Sequence, residues 1–301
     1  MPSVPSVSYP FTENVPPSPA SKKQLVAHRG ACAYAPEHTL PSYRLALEQH
    51  ADFVEQDLAV TRDGVLVSIH DLSLERTTNV AKVFPERFVI DARGAEPVRQ
   101  WLVNDFTLAE IKQLDAGAWF NPRFAGARVP TFQEAIDAVR GMAGIYPELK
   151  DPLFYRQRGI RSDQLFVEAL RANGLLDDPE TPVIVQSFDA PTLRQLAADL
   201  PSAGRVFLIE ATDIVLVDSP DKIREIGAWA TGVAPNKAIV ERLPDVVEWA
   251  HDAGLTVTPW TFRGSDHKGY PSVRAEMEKF LYVYGVDAVF TDNPDQFPRH
   301  E

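Results

Sequence analysis

Cysteine is nearly missing from the sequence: Cys32 is the only one in 301 residues, so no internal disulfide can form and an apolar core must carry the fold. Cations are scarce as well, with 30 Lys and Arg against 42 Asp and Glu, a formal net charge of −12. A surface of that sign repels phosphate backbones, which excludes a nucleic-acid binder and means that a phosphate-bearing substrate needs a locally positive site. No apolar run is long enough for a membrane span or a signal h-region. A cytoplasmic location is expected, with periplasmic or secreted placement after loss of a signal upstream of this numbering as the alternative. No residue pattern assigns an oligomeric state.

What is present is apolar material, 45% of residues, sufficient for one large α/β domain. Residues 1–24 carry prolines at 2, 5, 10, 16, 17 and 19 and read as a flexible tail, because proline-rich polar sequence forms no packed element. Over 25–298, β-branched runs alternate with helix-period segments, the mark of βα units. The runs are LVAH (25–28), FVEQDLAV (53–60), GIYPEL (144–149), VIVQSF (183–188), RVFLIE (205–210), WATGVA (229–234), LTVTPW (255–260) and DAVFTD (287–292). Eight strands in this length predict a TIM-type (β/α)8 barrel. Between them, Pro244 and Gly254 bracket one helix with Val246, Val247 and Ala250 on its apolar face, and Ser162 or Asp163 is expected to cap another that Gly174 ends. Residues 71 to about 130 form an insertion after the second strand's hairpin, expected to wall or cover the site.

The stretch FVEQDLAVTRDGVLVSIHD carries the most chemistry. Asp63-Gly64 suits a two-residue type I′ hairpin, which sets Val60 opposite Val67, Leu58 opposite Ile69 and Asp57 opposite His70. One face is then apolar, and the other carries Glu55, Asp57 and His70, with facing Cβ atoms about 4.5 to 5.5 Å apart. An acidic pair at this spacing also occurs on plain solvated strand faces, and the neighbouring strands favour a metal instead. Strand 1 ends in His28-Arg29-Gly30 and strand 3 in Glu148-Leu149-Lys150, and in a parallel barrel all of these reach one rim.

That rim combines what phosphodiester hydrolysis needs. Glu55, Asp57 and Glu148 offer hard oxygen ligands for Ca²⁺ or Mg²⁺, a divalent metal ion that would bind a phosphoryl oxygen. Arg29 would hold other oxygens by a planar fork and Lys150 as a point charge. His28 and His70 supply proton transfer near neutral pH.

The motifs HRGACAYAPEHTLPSYRLAL, ADFVEQDLAVTRDGVLVSIHDLSLERTTNV, DFTLAEIKQLDAG, GIYPELKDP, TPWTFR and GVDAVFTDNPDQ, in this order from Leu25 to Pro298, resemble those of the glycerophosphodiester phosphodiesterases. The EHT, EQDL and PELK forms are similar to the bacterial branch that includes periplasmic enzymes. The resemblance implies a TIM barrel of the phospholipase-C-like phosphodiesterase type with an inserted subdomain. It also implies cleavage of small glycerophosphodiesters to glycerol 3-phosphate and an alcohol, with the catalytic pair on His28 and His70 and the metal on Glu55, Asp57 and Glu148. In some members the neighbouring glycerol hydroxyl attacks first and gives a cyclic phosphate; His28 is then expected as base and His70 as acid. Trp260 is similar to the aromatic wall beside the glycerol. Glu37 matches the PENT motif as a residue behind the metal site or a catalytic group, whereas His38 replaces the usual Asn, so that amide's contacts do not carry over.

Other residues have plainer readings. His50, His251, His267 and His300 are assigned to the surface, Cys32 to a small buried role, and Asp292 to capping the turn after its strand. Arg76 either reaches the site or ties down the insertion. Phe84, Phe88, Trp101, Phe106, Trp119 and Phe120 are expected to form a small core within it. Two competing functions are a lipid-directed phospholipase, which the net charge disfavours, and a non-catalytic binding protein of this fold, against which the full set of histidines and carboxylates stands.

Overall fold

All eight residues of FVEQDLAV are buried, so this strand lies between two packed layers rather than on a solvated face. A computed structural model describes residues 22–92, 94, 96–267 and 269–299. The tail expected over residues 1–24 lies outside the described residues up to Ser21, and Gln24 already opens the first strand. In chain order the strands are β1 (Gln24–Ala27), β2 (Phe53–Val60), β3 (Leu66–Ser68), β4 (Val89–Asp91), β5 (Val98–Gln100), β6 (Gly144–Leu149), β7 (Ile184–Ser187), β8 (Gly204–Ile209), β9 (Gly232–Pro235), β10 (Thr256–Val257) and β11 (Ala288–Thr291).

Eight of them run parallel in the order β11, β1, β2, β6, β7, β8, β9, β10. At the seam, Asp287 N–H donates to Val257 O at 3.0 Å and Phe290 N–H to Pro259 O at 3.2 Å, which nearly closes the barrel. These eight strands coincide with the eight runs read from the sequence. Val26, Phe53, Tyr146, Val206, Leu208, Ala234, Ala288 and Phe290 fill the interior, while the alternate residues pack outward against the helices. Along β2 the inward series is Phe53, Glu55, Asp57, so the lining turns from apolar to ionisable toward the carboxyl end.

The hairpin register differs from expectation by one residue. Leu58 pairs with Ser68, Ala59 with Val67 and Val60 with Leu66, and Ile69 N–H donates to Asp57 O at 2.9 Å, so Asp57 faces Ile69 rather than His70. The loop has three residues, Arg62, Asp63 and Gly64, because Gly64 takes the left-handed conformation (φ 80°) that closes such a turn. Thr61 fixes it: its hydroxyl accepts from Val65 N–H at 2.9 Å and donates to Asp63 Oδ1 at 2.7 Å.

The helix Asp245–Asp252 buries Val246, Val247 and Ala250 and is followed by the left-handed Gly254, as its sequence suggests. In Ser162–Ala172 neither Ser162 nor Asp163 caps; Arg161 is the N-cap, and Asp163 pairs with its guanidinium at 2.6 Å instead. The insertion carries the β4–β5 hairpin and its own core of Trp101, Val103, Phe106, Ile111 and Leu114 against Ala59, Val67 and Ile69 of the barrel hairpin. Burying a side chain such as Phe106 stabilises this attachment by roughly 1.5–3 kcal/mol. Phe84 and Phe88 pack on that core, but Trp119 is exposed and stacks edge-on with Phe120. No helix among the described residues is long and apolar enough to cross a membrane.

Candidate active site

The turn after β1 places two groups at the rim. Gly30 adopts φ 84° where a Cβ would collide with Ser42, so the chain can turn this tightly only with glycine. Arg29 N–H then donates to Glu55 Oε2 at 2.9 Å. His28 Nδ1 lies 2.6 Å from Asp292 Oδ1, and since a carboxylate only accepts, that nitrogen carries the proton and Nε2 is left toward Glu55 Oε2, 3.7 Å away. Burial, then the Arg29 charge, push His28 down to about 4 against the pull of Asp292, so the imidazole is neutral at neutral pH.

Asp292 does not cap the turn after β11, as its position suggested; it holds His28 and accepts from Arg263 Nε at 3.0 Å. The pairing of Ala27 with Thr291 between adjacent strands is the signal that sets residues 28 and 292 side by side. Cys32 is half-buried near Asp292, and burial, then the Asp292 charge, push its thiol well up.

Glu55 and Asp57 from β2 meet Glu148 from β6, where Asp57 and Glu148 are register partners. Their ligand atoms lie within 4.8 Å of one another, and all three side chains are buried. Burial and the neighbouring Asp57 push Glu55 well up, and burial pushes Glu148 up to about 8, against the pull of Lys150. Asp57 goes the other way: burial opposes its charge, but Lys150 and His38 hold it well below the usual range. Asp57 Oδ1 is buried without a hydrogen-bond partner, so this acidic cluster has both the donor set and the unmet oxygen that a hard metal ion takes up.

Lys150 Nζ sits 3.0 Å from Glu148 Oε1 and 4.0 Å from Asp57 Oδ1. Arg29 lies between Glu37 (3.1 Å) and Asp57 (3.5 Å). Despite the −12 net charge, the rim thus sets two cations directly beside the carboxylates.

His70 reaches the same cavity from beyond β3, with Nδ1 at 2.6 Å from Asp71 Oδ1. Each of the two cavity histidines thus has its Nδ1 held by a carboxylate. Glu37 touches neither imidazole nor the acidic cluster; it accepts from Arg29 and Arg76, and although burial opposes its charge, these cations hold it at about 2. His38, at the departure from the usual motif, is buried with Nε2 at 2.7 Å from Asp57 Oδ2 and Nδ1 at 3.1 Å from Tyr43 Oη. Trp260 lines the cavity, its indole N–H donating to Ala234 O at 2.7 Å and its ring edge-on to Phe188.

The cavity has a volume of about 260 Å³ and gathers His28, Arg29, Glu55, Asp57, His70, Glu148, Lys150 and Trp260. Gln186, Phe188, Leu208, Glu210, Thr261, Arg263 and Phe290 complete its wall, and none of them was singled out in the sequence beyond lying in a strand run or motif. Gln186 Nε2–H donates to Glu55 Oε1 at 2.8 Å and so fixes one carboxylate oxygen. Of the remaining histidines, His50 is exposed, His251 pairs with Asp287, His267 bonds to Tyr270 O, and His300 lies outside the described residues.

Residues 28–296 match the model of the glycerophosphoryl diester phosphodiesterase family. The chain belongs to this family. A glycerophosphodiester phosphodiesterase of Bacillus subtilis is 34% identical over 94% of this chain and 91% of its own length. One from Haemophilus influenzae is 32% identical over 91% and 88%. Among solved structures, the glycerophosphodiester phosphodiesterase from Agrobacterium tumefaciens superposes with a TM-score of 0.67 at 30% identity, covering 91% of this chain and 98% of that one. A phosphodiesterase from Oleispira antarctica, solved with the product sn-glycerol-3-phosphate, has a TM-score of 0.68 at 27% identity over 91% and 94%. As a glycerophosphoryl diester phosphodiesterase family member the chain is a phosphodiester hydrolase, and the phospholipase-C-like barrel expected from its motifs is the fold that these structures share.

Proposed function

We propose that this enzyme hydrolyses small glycerophosphodiesters to sn-glycerol 3-phosphate and an alcohol, with His28 and His70 moving the protons beside a divalent cation, Ca²⁺ or Mg²⁺, on Glu55, Asp57 and Glu148. The observation that carries the reading is that three buried carboxylates with ligand atoms within 4.8 Å share one cavity with two imidazoles, each held by a carboxylate at 2.6 Å. When bound, the cation draws a phosphoryl oxygen and offsets the negative charge that grows in the transition state.

Arg29 and Lys150 hold the remaining phosphoryl oxygens, one as a fork and the other as a point charge. His28, neutral and with Nε2 toward the cavity, takes the proton of the attacking hydroxyl, either the glycerol hydroxyl beside the phosphate or water. As the new P–O bond forms and the P–O bond to the alcohol breaks, His70, entering as the imidazolium with Nδ1–H on Asp71, gives its Nε2 proton to the leaving oxygen and is left neutral. Its half-exposed position at the mouth suits a group that meets the departing alcohol. If the glycerol hydroxyl attacked first, water opens the cyclic phosphate with the proton transfers reversed. Trp260 and Phe188 provide the apolar wall for the glycerol carbons.

The reading is tested by release of choline and sn-glycerol 3-phosphate from glycerophosphocholine. Turnover that needs Ca²⁺ or Mg²⁺ and stops with EDTA is expected; turnover untouched by chelation removes the cation from the mechanism.

A further inference from the structure

Arg76 belongs to the insertion and does not line the cavity, yet its guanidinium touches both loops that carry the acid and the phosphate-holding fork. Its Nε donates to Asp71 Oδ2 at 2.5 Å, and its terminal nitrogens donate to Glu37 Oε2 and Oε1 at 2.9 and 2.7 Å. Asp71 presents its other oxygen to His70 Nδ1 at 2.6 Å, and Glu37 Oε1 accepts from Arg29 at 3.1 Å. The charges alternate along this path: Arg29, Glu37, Arg76, Asp71, then the imidazole.

We infer that Arg76 is a positioning residue that fixes His70 through Asp71 and Arg29 through Glu37, so that the insertion aligns both groups with one guanidinium. The inference rests on the proposed roles of His70 and Arg29. Three contacts at fixed angles need the rigid planar fork; a lysine ammonium can satisfy only part of the set. Without Arg76, Asp71 keeps its charge but loses the partner that fixes its rotamer, and the His70 ring swings with it. Glu37 likewise loses the bidentate partner that aims it at Arg29. The Arg76 side chain is 42% exposed, and exposed ion pairs add little to stability, so its removal should disturb alignment far more than folding.

The test is kinetics of the full chain with Ca²⁺ or Mg²⁺ on glycerophosphocholine, beside thermal melting of the same samples. Arg76→Gln should lower kcat by about 10- to 100-fold and raise KM several-fold with little change in Tm, and Arg76→Lys should fall between. Both changes break the path to His70, and Arg76→Gln also loosens the Glu37–Arg29 contact, so Asp71→Asn combined with Arg76→Gln should fall below the kcat of Asp71→Asn alone but well short of the product of the two single losses. Wild-type kcat in Arg76→Gln, or full multiplication of the two single losses in the double variant, overturns the proposal. Should Arg76→Gln fail to fold, Arg76→Lys carries the test, and a wild-type kcat and KM there overturn it equally. An unmodified chain that leaves glycerophosphocholine intact with either cation removes the functional reading itself, a result separable from any behaviour of the variants.

Discussion

His38 Nε2 lies 2.7 Å from Asp57 Oδ2, with both side chains buried. The contact fixes one oxygen of Asp57 and leaves Oδ1, which among the described residues has no hydrogen-bond partner and only the Lys150 ammonium at 4.0 Å, beside the other two carboxylates of the cluster. His38→Ala strands a buried carboxylate oxygen, at a cost of about 1–3 kcal/mol, and should weaken cation affinity about 10- to 100-fold. His38→Asn should do much less harm, since Asn tolerates the left-handed backbone at this position (φ 51°) and can donate to the same oxygen. Calorimetric cation titration of both variants checks the order, and an alanine variant with unaltered affinity would show that Asp57 needs no such support.

Asp292 should matter as much as a residue that contacts substrate. Its carboxylate only accepts, which keeps the proton of His28 on Nδ1 and Nε2 free to act as base. The amide of Asp292→Asn can donate instead and stabilise the opposite tautomer. A fall in kcat of about 10²- to 10⁴-fold with a near-unchanged melting curve is expected. A loss below tenfold would place the base elsewhere.

Gly64 offers a pure backbone test. Nothing lies within 4 Å of a Cβ added there, so Gly64→Ala introduces no clash, only an L-residue at φ 80°. A loss of about 1–2 kcal/mol is expected, with activity retained because Thr61 and the Ile69–Asp57 bond still hold the register. Denaturant unfolding measures it; a neutral substitution would mean that the loop relaxes to another turn.

The seam of the barrel should give a small pH dependence of stability. His251 Nε2 meets Asp287 Oδ2 at 2.9 Å, and this bond raises His251. Burial opposes ionisation of Asp287, but the bonds from His251 and Val257 N–H hold it below the usual range. The histidine's contribution is full below its unfolded pKa and is lost as pH rises through its folded pKa. That of Asp287 is present above its unfolded pKa and is lost as pH falls through the folded one. The histidine is 41% exposed, so screening limits the effect to a few tenths of a kcal/mol, about a degree in Tm. The melting temperature should decline slightly from pH 6 to pH 8.5 in the wild type and decline less in His251→Gln; equal slopes would assign the decline to other groups.

The barrel was legible because each strand is a β-branched run bounded by a helix with its own stop signal, and such local patterns need no knowledge of partners. The ionisable residues of the cavity were legible for a similar reason: Glu55 and Asp57 alternate with outward residues along β2, Glu148 and Lys150 sit at the end of β6, and a parallel barrel sends strand ends to one rim. The hairpin register was not, because Asp63-Gly64 fits both a two-residue and a three-residue loop, and the choice is made by Thr61 and by the insertion packed on β3. Nor were the residues that hold the histidines. Asp292 is 264 positions from His28, and only the β1–β11 pairing brings them together. Arg76 and Glu37 meet across 39 positions through the insertion, whose path no periodicity describes.

The account stands on one cation held by Glu55, Asp57 and Glu148 beside both histidines, and this is measured by titrating Ca²⁺ and Mg²⁺ into metal-stripped protein while following glycerophosphocholine turnover in the same samples. One cation per chain, turnover that rises with occupancy, and loss of both in Glu148→Gln are predicted. Full turnover by the metal-stripped protein, or unchanged cation binding in Glu148→Gln, would contradict it.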